Sequence, residues 1–148
     1  MKNIKNIFRN LEKQLRQTSW FNEDWEIYNR GAYLQLYKVN WCNQNQGGVH
    51  FETFIEAPQI KKKLFPICMH AEEDCPSRNI FKENFFRLEN DRLNQWKGYE
   101  RVDGEYNIIQ KTLPLNYKNL EKRLFDEFSQ LRKLADSVDD ILNSINRH

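Results

Sequence analysis

Along residues 116–146, apolar side chains recur at Leu120, Leu124, Phe128, Leu131, Ala135, Val138, Leu142 and Ile145, in steps of four and three. That spacing lays one continuous stripe down an α-helix, widened by Leu134 and Ile141. No other stretch restricts the fold as much, because a helix of roughly thirty residues is about 45 Å long and must cover its oily side. A sheet of four or five strands is only about 20–25 Å wide, at roughly 4.8 Å per strand. The first turns are therefore expected to roof a sheet. The last turns, with Val138, Leu142 and Ile145, are expected to overhang it and meet another protein, or a second copy of the chain in a homodimer. Lys118, Lys122 and Arg123 come early and Asp136, Asp139 and Asp140 late, against the helix dipole, so packing rather than charge has to hold this element.

The sheet itself is written in the alternation of residues 25–72. Runs at 25–28, 32–41, 49–56 and 64–72 are rich in β-branched and aromatic residues. Asn29-Arg30-Gly31, the polar loop 42–48, and Ala57-Pro58 with the lysines 61–63 separate them. Paired as an antiparallel meander with turns centred on Arg30, Asn45 and Ile60, the runs set Ile27 against Tyr33, Trp41 against Val49, Val39 against Phe51, Tyr37 against Thr53, and Phe51 against Met69. One apolar face then crosses four strands. The reverse face carries Lys38, Asn40, His50, Glu52, Cys68, His70 and Glu72 toward one end and Tyr28, Leu34, Leu36, Phe54 and Leu64 toward the other. In this register Lys38 lies opposite Glu52, and His50 lies opposite His70.

Ile4, Ile7, Phe8, Leu11 and Leu15 predict an N-terminal helix that stops near Thr18. Pro76-Ser77 reads as the start of another helix, over 78–95, with Phe81, Phe85 and Leu88 on its buried side. Asp103-Gly104 between two β-like runs predicts a hairpin, and Pro114 ends it. The fold class that follows is a single α+β domain over 1–148. An antiparallel meander sheet of four to six strands packs against the long C-terminal helix, with an N-terminal helix and a helix inserted between strands.

Composition leaves several function classes without support of their own. A formal charge of +2 with both signs spread through the chain gives no argument for nucleic acid or an anionic membrane. Cys42, Cys68 and Cys75 form no C-x-x-C pair, so neither a disulfide framework nor a zinc ribbon is supported, and a reducing compartment fits. The chain has no apolar run of membrane-span length and no secretory leader, so a cytoplasmic location is expected.

The chemistry-bearing pattern is a His-x-Glu pair that occurs twice, at His50-Phe51-Glu52 and His70-Ala71-Glu72. Positions two apart on a strand share a face, so these four residues, with Cys68, are the candidates for a metal site or for acid–base work. The ordinary alternative is a set of partly exposed sheet residues joined by ion pairs such as Lys38 with Glu52. The second pair is similar to the His-Ala-Glu of zinc-dependent nucleoside and base deaminases, whose motif continues downstream with Pro-Cys-x-x-Cys. Here Cys75 precedes Pro76 and no cysteine follows, so the resemblance fails. Lys61, Lys62 and Lys63 are the candidates for nucleic-acid contact, against the plainer reading of a solvated edge. The function expected on these grounds is a small, non-catalytic protein-binding module of accessory, immunity or inhibitor type, without a cofactor. A hydrolase-like or metal-dependent enzyme using the His50, Glu52, His70 and Glu72 face is the competing class, and nucleic-acid binding comes third.

Overall fold

The computed structural model of the chain describes residues 3–41, 48–72, 78–102, 104 and 106–146. Helix α1 (Ile4–Arg16) is capped by the Asn3 side chain, which accepts from Lys5 N at 2.9 Å, and it buries Ile7, Phe8, Leu11 and Leu15. Strands β1 (Trp25–Asn29), β2 (Tyr33–Lys38) and β3 (Val49–Phe54) follow. A six-residue helix α2 (Ala57–Lys62) leads to β4 (Leu64–Ala71), then α3 (Arg78–Gln95), β5 (Glu100–Arg101) and β6 (Asn107–Pro114). The C-terminal segment is α4 (Leu120–Leu131), a 3-10 turn at Arg132–Leu134, and α5 (Ala135–Asn146). Among the described residues the strands form one six-stranded antiparallel sheet in the order β1-β2-β3-β4-β6-β5, which is the α+β architecture the pattern predicts. No helix is long and apolar enough to cross a membrane, among the described residues.

The β3–β4 register is the expected one, with Val49 opposite Ala71, His50 opposite His70 and Phe51 opposite Met69. The β2–β3 register is not. Val49 N still donates to Trp41 O at 3.0 Å, as the alternation requires, but a tight turn then closes with Trp41 N on Lys38 O at 3.0 Å. Below it, Leu36 pairs with Phe51 and Gln35 with Glu52. That three-residue offset is odd, so it reverses the faces of β2: Leu34 and Leu36 point into the core, and Val39 is 61% exposed. A second offset of three at the β1–β2 turn, where Gly31 takes φ +90, pairs Ile27 with Leu36. The two odd shifts cancel, and Trp25 and Ile27 stay inside as expected.

Lys38 is consequently on the core face and not opposite Glu52. It bonds Asp139 of α5 at 2.7 Å, while Trp41 Nε1 donates to the other oxygen of that carboxylate at 2.8 Å. At the far side of the same face Lys111 of β6 meets Glu127 of α4 at 2.9 Å. These contacts pin the C-terminal helices across the sheet. The 3-10 turn breaks the expected single helix, so that α4 packs on α1 and α5 on α3. The break also places Asp136 in the first turn of α5, where an acid suits the dipole. The expected overhang is absent: Val138 and Leu142 are fully buried in the chain's own core and Ile145 is half-buried against it.

Helix α2 replaces the simple turn expected over 57–63. Its cause is local, with Pro58 in the first turn, Glu56 N bonded to Gln59 Oε1 at 2.9 Å, and Lys63 left-handed at φ 58 to end it. Helix α3 has the expected span, whereas the Pro76-Ser77 cap lies outside the described residues, as do Cys42, Cys75 and Asp103.

Candidate metal centre

The centre is built on the reverse face of the three middle strands. On β3 the alternation turns His50 and Glu52 away from Phe51, and on β4 it turns Cys68 and His70 away from Met69. The reversed β2 adds Tyr33 and Gln35, which the even alternation would have sent inward. Burial follows from this crowding: His50 is inaccessible, Glu52 and Gln35 are buried, and His70 is nearly so.

Glu52 is the hub. Its Oε1 lies 3.2 Å from His50 Nε2, and its Oε2 lies 3.4 Å from His70 Nδ1. Oε1 also accepts from the Tyr33 hydroxyl, and Gln35 Nε2 stands 3.4 Å away. Gln35 Nε2 reaches Tyr33 Oη at 2.5 Å and His50 Nε2 at 3.1 Å. The two imidazoles meet edge to face, with ring centres 5.5 Å apart. At the solvent side Glu72 Oε2 is 3.9 Å from His50 Nε2, on a side chain 28% exposed.

Electrostatics favour a charged acid beside a neutral imidazole. Burial pushes the Glu52 carboxyl up, but the hydrogen bond from His50, the charge of His70 and the Tyr33 hydroxyl outweigh it, and the net direction is down. Burial and the neighbouring His50 push His70 below its ordinary value, against the pull of Glu52 and Asn107. At neutral pH His70 is therefore mostly the neutral base, the form that donates a lone pair to a metal. Burial first, then Glu52, push the Tyr33 phenol up, so it keeps its proton.

Cys68 does not join the donor set. Its thiol is pushed well above the usual range by burial and then by Glu52 and Glu72, and its Sγ sits 3.3 Å from Nε2 of His70, on the ring atom away from Glu52. A buried neutral thiol is neither nucleophile nor ligand, but it fixes the orientation of the ring whose other nitrogen faces the centre.

The donor atoms of His50, Glu52 and His70 all lie within 4.8 Å of one another. In a tetrahedral zinc site with bonds of about 2.0–2.1 Å, neighbouring ligand atoms stand roughly 3.3–3.4 Å apart. The two carboxylate–imidazole separations, one to each oxygen of Glu52, are close to it at 3.2 and 3.4 Å. His70 Nδ1 is moreover buried with no hydrogen-bond partner among the described residues, as is Gln35 Oε1. A buried imidazole nitrogen left without a partner is costly unless something else occupies its lone pair.

The remaining candidates lie elsewhere. Lys61 and Lys62 close the last turn of α2 and Lys63 caps it, all exposed, where cations complement the helix dipole. The aromatic residues Trp41 and Phe51 are core and so are not exposed for stacking beside those lysines. Tyr33, Gln35 and Asn107 are the residues that the sequence pattern did not put forward. Comparison with protein-family models, with curated proteins and with solved structures finds no match to this chain.

Proposed function

We propose that the chain is a metal-binding protein that holds one divalent ion of the zinc type between His50 Nε2, the Glu52 carboxylate and His70 Nδ1. Two imidazole nitrogens and one carboxylate oxygen are borderline donors, suited to Zn²⁺ and its neighbours in the first transition row. Ca²⁺ and Mg²⁺ require mostly oxygen and are poorly served here. The observation that carries this reading is the convergence of donor atoms from His50, Glu52 and His70 to within 4.8 Å of one another in a largely buried setting, with His70 Nδ1 making no hydrogen bond among the described residues. The partner-binding role expected of the C-terminal stripe rested on Val138, Leu142 and Ile145, and two of these are spent on the internal core.

The test is calorimetric titration of the purified, chelator-treated chain with Zn²⁺. One ion should bind per chain, His50→Ala and His70→Ala should each abolish uptake while the far-ultraviolet dichroism is unchanged, and Mg²⁺ should give no heat. Uptake that survives both substitutions, or no uptake by the wild type, would remove the proposal.

A further inference from the structure

The three buried donors leave a fourth position, and its surroundings differ from theirs. Glu72 follows His70 by two residues on the same face, and its backbone is fixed by a hydrogen bond from Glu72 N to Gly48 O at 3.1 Å. It therefore stands at the solvent side of the cluster, partly exposed, with its Oε2 3.9 Å from His50 Nε2. Tetrahedral spacing requires roughly 3.3–3.4 Å, and Glu72 lies next to the three mutually close donors rather than among them, so its side chain swings inward to complete the set. That movement falls to a side chain at a strand end, not to one locked in the core.

Charge makes the same selection. A dication held by two neutral imidazoles and Glu52 alone leaves a net positive charge in a site where His50 and Glu52 have almost no contact with water. Uncompensated charge in such surroundings is strongly disfavoured. A second carboxylate cancels it. We infer that Glu72 is the fourth ligand, and that the ion is held in a closed, charge-neutral centre of two histidines and two glutamates, as a structural rather than a catalytic metal. This inference rests on the metal-binding reading above and adds to it the class of site.

Closed coordination has consequences that an open position lacks. No water is left on the ion to be activated, so the centre clamps β3 to β4 across the middle of the sheet and does not process a substrate. Co²⁺ in place of zinc reports this directly, because a fourth position held by water makes the visible bands change with pH as that water loses its proton near neutrality, whereas four protein ligands give strong four-coordinate bands that do not. The wild type should give the intense four-coordinate band. Glu72→Gln, with dichroism unchanged, should bind Co²⁺ about tenfold or more weakly and show altered visible bands that change with pH, the mark of a site opened to water. Glu72→Asp keeps the charge one methylene shorter and should retain the strong band at reduced affinity. If Glu72→Gln leaves affinity and spectrum unaltered while His50→Ala loses Co²⁺, Glu72 is no ligand and the inference fails with the metal site intact. If the wild type takes up no Co²⁺, the metal reading falls and this inference with it.

Discussion

Tyr33 is the residue on which the geometry of the centre turns most closely. Its hydroxyl donates to Glu52 and accepts from Gln35, so it holds the hub carboxylate from the β2 side. Tyr33→Phe removes one charge-assisted bond and leaves Glu52 with His50 and Gln35. On a half-buried side chain this should lower stability by about 1–2 kcal/mol, read as a shift in the urea midpoint. The same substitution should weaken metal binding about 10–100-fold, as loss of a residue that orients a ligand does; unchanged affinity would mean that the phenol has no part in the site. His50, Glu52, His70 and Glu72 were legible in the chain because β3 and β4 alternate without interruption on either side of a short link. Tyr33 and Gln35 were not, because their face depends on a three-residue offset created by the turn from Lys38 to Trp41. Asn107 was not, because it meets His70 only through the placing of β6 beside β4, at a register shift.

At the scale of elements, the stripe of 120–145 foretold burial but not the 3-10 turn at Arg132–Leu134, since that turn keeps the stripe helical while redirecting it from α1 to α3. Helix α2 was signalled by Pro58 and by the Glu56–Gln59 spacing, both subordinated to the reading of a turn. Apolar alternation is blind to an inward lysine, and β6 has one. Lys111 and Glu127 form an almost buried pair at 2.9 Å, with Tyr99 Oη donating to the same carboxylate at 3.2 Å. Burial and then Glu127 push the Tyr99 phenol up, so it stays a donor to high pH. A buried pair broken on one side leaves a bare charge, whereas its full replacement by apolar groups often costs nothing. Glu127→Leu alone should therefore destabilise by about 3–5 kcal/mol. The triple variant Lys111→Met, Glu127→Leu, Tyr99→Phe should return to within about 1 kcal/mol of wild type in urea unfolding. Equal losses in both variants would show that the ion pair itself supplies net stability.

For the molecule as a whole, the two faces of the sheet divide the labour: the helices cover one, and a polar network that brings together His50, Glu52 and His70 occupies the other. The covered face sets how the C-terminal helix behaves. Leu142 is 1% exposed and Val138 wholly buried, both within the same continuous core as Phe51 and Met69. Had α5 been a docking surface, a charge at Leu142 would separate copies and leave each folded. Here it must enter the core. Loss of the leucine costs about 2–5 kcal/mol, and an unpaired carboxylate in apolar surroundings adds several more. Against a total stability of about 5–15 kcal/mol, that sum removes most or all of the folded population. Leu142→Asp should therefore lose its cooperative thermal transition, at every protein concentration, while Asn143→Asp on the exposed side of the same turn keeps it within about 0.5 kcal/mol. A Leu142→Asp protein that melts like the wild type but runs at a smaller size would show that the stripe serves an interface instead. Because α5 reaches β2 through Asp139 and β2 carries Tyr33 and Gln35 on its other side, the unfolding of that helix should also release Glu52, so metal uptake should be lost from Leu142→Asp together with the melt.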